Sequence, residues 1–289
     1  MKMKKLTAVL ALVVLGALVS VGCGNNVKSD FDETMFISVI SREEGSGTRG
    51  AFVEITGILE DDMDRTTLEA VIANGTSIVM THVAEDVYAI GYISIGALND
   101  TIKAVNINGV AATEANTKAG DYLISRPFHI VSQAAGNEAA IDFKNFIMSA
   151  EGQEVVTDAG LVAVPNLPHF ESTNPSGRVV VGGSTSVAPV MERLAEAYYE
   201  QNPGVMIEIQ SAGSSAGMTG VLDGNFDIGM ASRDLSQSEL DSGLVPTVMA
   251  LDGIAVIVHP DNPITNLTLE QVDAIFTGEA ITWDEVLHQ

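Results

Sequence analysis

From residue 36 onward the apolar positions keep two rhythms. Runs that alternate every second residue, or stay β-branched throughout, predict strands at 36–40, 88–95, 103–107, 128–131, 179–181, 205–210, 227–231 and 245–259. The run at 36–40 reads as half-buried. Apolar spacing of three and four predicts helices beginning at 51–55 and at 139–148, 152–158, 187–199, 218–222 and 269–276, with Gly160 as a stop. Strands and helices in alternation, with a 46% apolar fraction, imply an α/β fold large enough for two lobes.

Three of the strand-to-helix junctions share one composition. Phe36-Ile37-Ser38-Val39-Ile40 leads through Ser41-Arg42-Glu43-Glu44 into Gly45-Ser46-Gly47-Thr48. Val179-Val180-Val181 leads into Gly182-Gly183-Ser184-Thr185-Ser186, and the run at 205–210 leads into Gly213-Ser214-Ser215-Ala216-Gly217. A single small-residue turn before a helix is ordinarily no more than an N-cap. Three in one chain can aim three helix N-termini at one point, each with positive partial charge and unpaired N–H groups. The hydroxyls of Ser46, Thr48, Thr185, Ser186 and Ser214, and the planar fork of Arg42, complete an expected cradle for an oxyanion.

The chain opens with a targeting pattern: Lys2, Lys4 and Lys5, an apolar run at 6–21, then Ser20-Val21-Gly22-Cys23. Residues 20–23 resemble a bacterial lipobox, which implies a signal peptide at 1–22, acylation of Cys23 and a lipid tether at 23–35. The alternative is an uncleaved membrane anchor; either way the remainder is extracytoplasmic and held at the outer face of the cell membrane. Cys23 is the only cysteine, which excludes a disulfide scaffold and a cysteine enzyme. Without the three leader lysines, 11 Lys and Arg stand against 38 Asp and Glu, a net charge of −27. Nucleic acid and anionic lipid are therefore excluded as partners. Because charges beyond about 10 Å are screened, an anion site in such a chain must work through short-range donors. The segment 166–177, with Asn174-Pro175 and Ser176-Gly177, is the clearest linker.

The motifs together resemble the phosphate-binding, substrate-capturing lipoprotein of bacterial phosphate ABC transporters, a two-lobed periplasmic-binding-protein-like fold of type II. The resemblance rests on the three turns, on Ala188-Pro189, on Asp227-Ile228-Gly229-Met230-Ala231-Ser232-Arg233 and on Asp252-Gly253-Ile254-Ala255-Val256. It covers essentially 36–286, but the segments stand in a different order. The segment that usually opens the family begins here at Arg178, and Thr282-Trp283-Asp284-Glu285-Val286 would run on into the strand at Phe36. The sequence therefore reads as a circular permutant in which 166–177 joins the family's usual ends; a truncated tandem fusion is the rival account. One lobe would be continuous over 127–258, the other assembled from 36–126 and 259–289.

What the resemblance implies is capture of inorganic phosphate for an ABC-type permease by a monomer without cofactor, metal or catalysis. It assigns phosphate to Arg42, Ser46, Gly47, Thr48, Thr185, Ser186, Ser214 and Ser232, and it implies that Glu44 holds Arg42 in place. The family often carries an Asp where this chain has Arg233, so acceptance of the phosphate proton would pass to a serine lone pair. Arg233 would be a second cation or a solvated surface charge. Two other readings stay open. Gly213-Ser214-Ser215-Ala216-Gly217 fits Gly-x-Ser-x-Gly, and a hydrolase would pair Ser215 with Asp252 and His259, or with Asp284 and His288. A surface oxyanion sensor without transport is the other. The five histidines, His82, His129, His169, His259 and His288, lack metal-ligand spacing.

Overall fold

The computed structural model describes residues 31–133 and 136–288. The leader, Cys23 and most of the expected tether lie outside the described residues. Within them no helix is long and apolar enough to cross a membrane, and no cluster of His, Cys, Asp or Glu could hold a metal ion.

Eight strands follow one path through a single sheet. In chain order they are β1 (Ser38–Arg42), β2 (Val71–Ala73), β3 (Ala89–Ser94), β4 (Ser125–Ser132), β5 (Gly177–Gly183), β6 (Val205–Ser211), β7 (Ile228–Ala231) and β8 (Val245–Val258). Their spatial order is β6-β5-β7-β4-β8-β3-β1-β2, and the short strands Lys103–Ala104 and Val162–Ala163 add to β8. β5 runs parallel to β6 and β7, and β1 runs parallel to β2 and β3. Parallel neighbours need helical crossovers. α1 (Gly47–Thr56), α2 (Thr76–Glu85), α5 (Ala188–Gln201) and α6 (Ser214–Leu222) lie in these crossovers; α3 (Glu138–Ile147) and α4 (Ala150–Asp158) follow β4, and α7 (Leu269–Thr277) and α8 (Trp283–Leu287) follow β8.

Antiparallel β4 and β8 join the two parallel clusters. β8 is shared between them: Val245–Gly253 pairs with β4, and Ile254–Val258 pairs with β3. The change of partner falls between Gly253 and Ile254.

The run at 36–40 passes from exposed Phe36 to buried Val39 and Ile40, and burial continues through Ser41 and Arg42, because β1 lies between β2 and β3 in a sheet covered on both faces. Adjacent residues of β3 show the two covers. Tyr92 stacks on Phe52 of α1, with ring centroids 3.9 Å apart. Gly91 points the other way, where a Cβ would come within 2.8 Å of Val79 on α2. The run at 103–107 divides into Lys103–Ala104 on β8 and Asn106–Ile107, which pairs with Asn266–Leu267.

The 166–177 segment forms no helix and is stitched down until it enters β5 at Gly177. Phe170 packs on Phe146 and Tyr198 with centroids 5.2 and 5.9 Å away. Glu151 accepts from the Phe170 N–H at 2.8 Å. The buried carboxylate of Asp142 on α3 accepts from the Thr173 N–H at 2.8 Å, the Ser172 hydroxyl at 3.0 Å and the Tyr198 hydroxyl at 2.7 Å.

Where β8 changes partner, Arg126 of β4 faces Asp252 of β8 across the ladder. Both are buried; Nη2 donates to Oδ2 at 3.0 Å, and the Ser94 hydroxyl donates to Oδ1 at 2.7 Å. Burial pushes the Asp252 carboxyl up to about 6 against the pull of Arg126. Removing one partner of a buried pair strands the other. Arg126→Met should therefore lower stability by about 3–5 kcal/mol in denaturant titration at neutral pH. The loss should shrink near pH 5, where the stranded carboxyl takes up a proton.

Candidate functional site

All the small-residue turns sit at the C-terminal ends of parallel strands. β1 ends at Arg42 and gives onto Gly45-Ser46-Gly47; β5 ends at Gly183 and gives onto Ser184-Thr185-Ser186; β6 ends at Ser211 and gives onto Gly213. Crevices beyond such strand ends are where open α/β sheets bind ligands. A fourth junction, Asn74-Gly75 between β2 and α2, joins them and was not singled out above. Its Gly-Thr step carries the same composition, but β2 is only three residues long and gives no period to mark it.

Arg42 is the centre of the cluster at 1% exposure. Its Nε and Nη2 donate to the two carboxylate oxygens of Glu43, each at 2.7 Å, and Nη2 also reaches Thr185 Oγ1 at 2.9 Å. Nη1 is buried without a hydrogen-bond partner. Glu43 accepts in turn from the Gly75 N–H at 3.2 Å. The residue that holds Arg42 is thus Glu43, not Glu44. The chain leaves β1 at Glu43, which lets that side chain turn back along the guanidinium, whereas Glu44 is exposed on the turn.

Hydroxyls from both halves of the sheet close around this pair. Thr48 Oγ1 lies 2.8 Å from Ser186 Oγ, and Thr76 Oγ1 lies 3.3 Å from both Thr185 Oγ1 and Ser186 Oγ. Ser184 donates to Ser232 at 2.9 Å, and the Ser232 N–H donates to Ser214 Oγ at 3.1 Å. Ser46 caps α1, accepting from the Arg49 N–H at 3.3 Å, which leaves its own proton to donate. Gly47 explains its lack of side chain: a Cβ there would lie 2.4 Å from Ser214 Oγ and 2.7 Å from Ser232 Oγ. The two halves also touch through backbone, Ser215 N–H to Gly45 O at 3.2 Å.

All eight expected ligand residues are therefore gathered, joined by Thr76 and Ser184. Arg233 is not among them. It pairs two-pronged with Glu239 at 2.8 Å and donates to Ser215 Oγ at 3.2 Å, so its charge is spent at the rim. Of the four helices that begin at the site, α2, α5 and α6 lack a side-chain cap and α1 is capped by Ser46; α3, α4 and α7 are capped elsewhere by Asn137, Ser149 and Thr268.

The hydrolase constellation is not assembled. Ser215 Oγ meets Arg233, Asp252 is sealed against Ser94 and Arg126, and His259 Nδ1 accepts from the Asp261 N–H at 3.0 Å. Asp284 accepts from Thr282 and His288 faces Glu33 at 3.7 Å.

Comparison with known proteins agrees with this architecture. A family model described as a PBP superfamily domain matches residues 29–151 and 170–289. The phosphate-binding protein PstS 2 of Streptococcus agalactiae is 44% identical over 291 residues, 99% of this chain and 98% of its own. A crystal structure of the phosphate-binding protein of a Streptococcus pneumoniae phosphate ABC transporter is 45% identical, with a TM-score of 0.70 over 87% of this chain and all of that one. The phosphate-binding protein PstS of Pseudomonas aeruginosa is 39% identical over only 122 residues, 39% of this chain and 38% of its own.

Glu43 gives the site an acid limit. Burial opposes its charge, but the hydrogen bonds and charge of Arg42, with the Gly75 N–H, hold its carboxyl below the ordinary 4.5. A lowered folded value means that its contribution to stability is full above pH 4.5 and is lost as pH falls through that lowered value. Melting curves from pH 7 down to pH 3 should show wild type and Glu43→Gln converging on acidification. Parallel curves would mean that Glu43 carries no such linkage.

Proposed function

The chain belongs to the PBP superfamily and, within it, to the PstS phosphate-binding proteins, and we infer that it captures inorganic phosphate outside the cytoplasm for an ABC-type importer. It binds its ligand and does not turn it over. The observation that carries this reading is the buried guanidinium of Arg42, with Nη1 unpartnered, ringed by Thr and Ser hydroxyls from both halves of the sheet. In the reading proposed, Arg42, Ser46, Gly47, Thr48, Thr185, Ser186, Ser214 and Ser232 hold the anion. Arg42 supplies the fixed cation and Glu43 fixes its plane. The uncapped starts of α2, α5 and α6 add oriented partial charge. In a chain of formal charge −24 the long-range field repels phosphate, so these short-range donors carry recognition.

The two lobes would be the two halves of the sheet, hinged where β8 changes partner and closing on phosphate. Acylation at Cys23 would hold them at the membrane. A circularly permuted order is proposed with them. Supporting it, the Pseudomonas protein aligns over only part of each chain, while the streptococcal one aligns throughout. The two ends of the described fold also lie side by side. Phe36 bridges Thr282, and the Ile37 N–H donates to Ile281 O at 2.9 Å.

Calorimetry of the protein against phosphate, sulfate, molybdate and arsenate tests the function. Phosphate should bind at one per chain. Arg42→Ala should weaken it by about 2–5 kcal/mol, and Arg42→Lys should recover only part. An unchanged constant in Arg42→Ala would take this residue out of the site.

A protease site inserted beside Ser172 tests the order of segments. The contacts of Phe170, Ser172 and Thr173 should keep the two fragments together as a compact monomer that still binds one phosphate. Two species resolved by size exclusion would favour the tandem-fusion account.

A further inference from the structure

Thr76 belongs to no motif singled out from the sequence, yet it sits in the middle of the cluster. It opens α2 and is 5% exposed. Its hydroxyl lies 3.3 Å from Thr185 Oγ1 and 3.3 Å from Ser186 Oγ. Thr185 accepts from Arg42 Nη2 at 2.9 Å, and Ser186 lies 2.8 Å from Thr48. A chain of four hydroxyls therefore runs from the guanidinium to α1, and Thr76 is the link that joins its two ends. Gly75 before it has φ 120° and no side chain, which leaves the start of α2 open to close approach.

The chain differs from the other hydroxyls of the site. Ser46, Ser184 and Ser214 each accept from a fixed backbone N–H, of Arg49, Ser186 and Ser232 respectively. Those bonds take one lone pair of each; Ser184 donates its proton to Ser232 at 2.9 Å, and the Ser214–Ser232 contact, at 3.4 Å, is undirected but stands apart from this chain of four. The Thr185–Thr76, Thr76–Ser186 and Ser186–Thr48 contacts have no set direction, since either oxygen can donate in each. A hydroxyl is one donor and two acceptor lone pairs, so the run can reverse together and turn either a proton or a lone pair toward a ligand oxygen.

That freedom matters for the choice of anion. Near neutral pH inorganic phosphate and arsenate keep at least one proton, whereas sulfate keeps none. A cradle of guanidinium and amide N–H donors stabilises all three. The carboxylate of the cluster, Glu43, is occupied by Arg42 and the Gly75 N–H. We propose that Thr76 contacts the bound phosphate and, as the middle of this hydroxyl chain, turns a lone pair to the phosphate's proton, an acceptor contact that sulfate, having no proton, cannot use. The proposal rests on the phosphate-capture reading above.

The test is calorimetry of the full chain with phosphate and arsenate, and competition by sulfate, for wild type, Thr76→Val and Thr76→Ser. Thermal melts of both variants establish that they fold. Thr76→Val should weaken phosphate and arsenate about 10- to 100-fold, the loss of one hydrogen bond to a charged ligand, and sulfate by less. Thr76→Ser, which keeps the hydroxyl, should stay within about threefold of wild type. Phosphate binding unchanged in Thr76→Val would overturn the assignment. Equal weakening of phosphate and sulfate, or a Thr76→Ser as poor as Thr76→Val, would reduce Thr76 to packing and overturn it too. A folded wild type that binds none of the three would instead sink the phosphate-capture reading itself.

Discussion

A guanidinium sealed from water constrains the whole site. Removing a cation from water costs several kcal/mol unless partners replace its hydration. Arg42 finds two of its partners on Glu43, the next residue, which works only because the chain turns out of the sheet there. Glu43 in turn needs donors and takes the Gly75 amide, tying the β1 and β2 junctions together. The last partner, Thr185, comes from the far half of the sheet. Satisfying one buried charge thus couples three junctions and both halves. Nη1 is the residue of that demand, and it gives the cluster its appetite for an anion.

Much of this was legible in the sequence, for reasons that can be named. Gly, Ser and Thr between a strand and a helix leave amides uncovered whatever the tertiary context, so Gly45–Thr48, Gly182–Ser186 and Gly213–Gly217 could be read directly. Helices with a clear apolar stripe, α3, α4, α5 and α7, fell close to their expected positions. Other features depended on neighbours that a sequence does not display. Glu43 and Glu44 are equivalent on paper, and only the point where β1 ends decides between them. β2 is short and sits at a sheet edge with Val71 and Ile72 exposed, which hid both the strand and the Gly75-Thr76 turn behind it. Arg233 could be read as a second cation or as a solvated charge, because its partner Glu239 lies six residues on, past the end of β7.

The distribution of helix caps shows how the fold manages its polar groups. A side-chain cap is the ordinary way to satisfy the first amides of a helix, and the chain uses it freely on α3, α4 and α7. It withholds that device at α2, α5 and α6, where Gly or a buried apolar residue stands in the cap position. α1 is the exception at the site: its Ser46 cap spends a lone pair on the Arg49 amide and keeps a proton to donate. An acidic chain can thereby hold an anion with a buried guanidinium and oriented amides.

The stitched segment at 166–177 and the bridge between Phe36 and Thr282 have a consequence of their own. Both precede a parallel strand, β5 and β1 respectively, and so lie at its N-terminal end. The ligand-facing turns all follow the C-terminal ends, about 20 Å away along a seven-residue strand such as β5. The stitched segment and the Phe36–Thr282 bridge therefore occupy the rim of the sheet opposite the small-residue turns. The order in which the backbone passes along that far rim does not alter which turns meet at the near one.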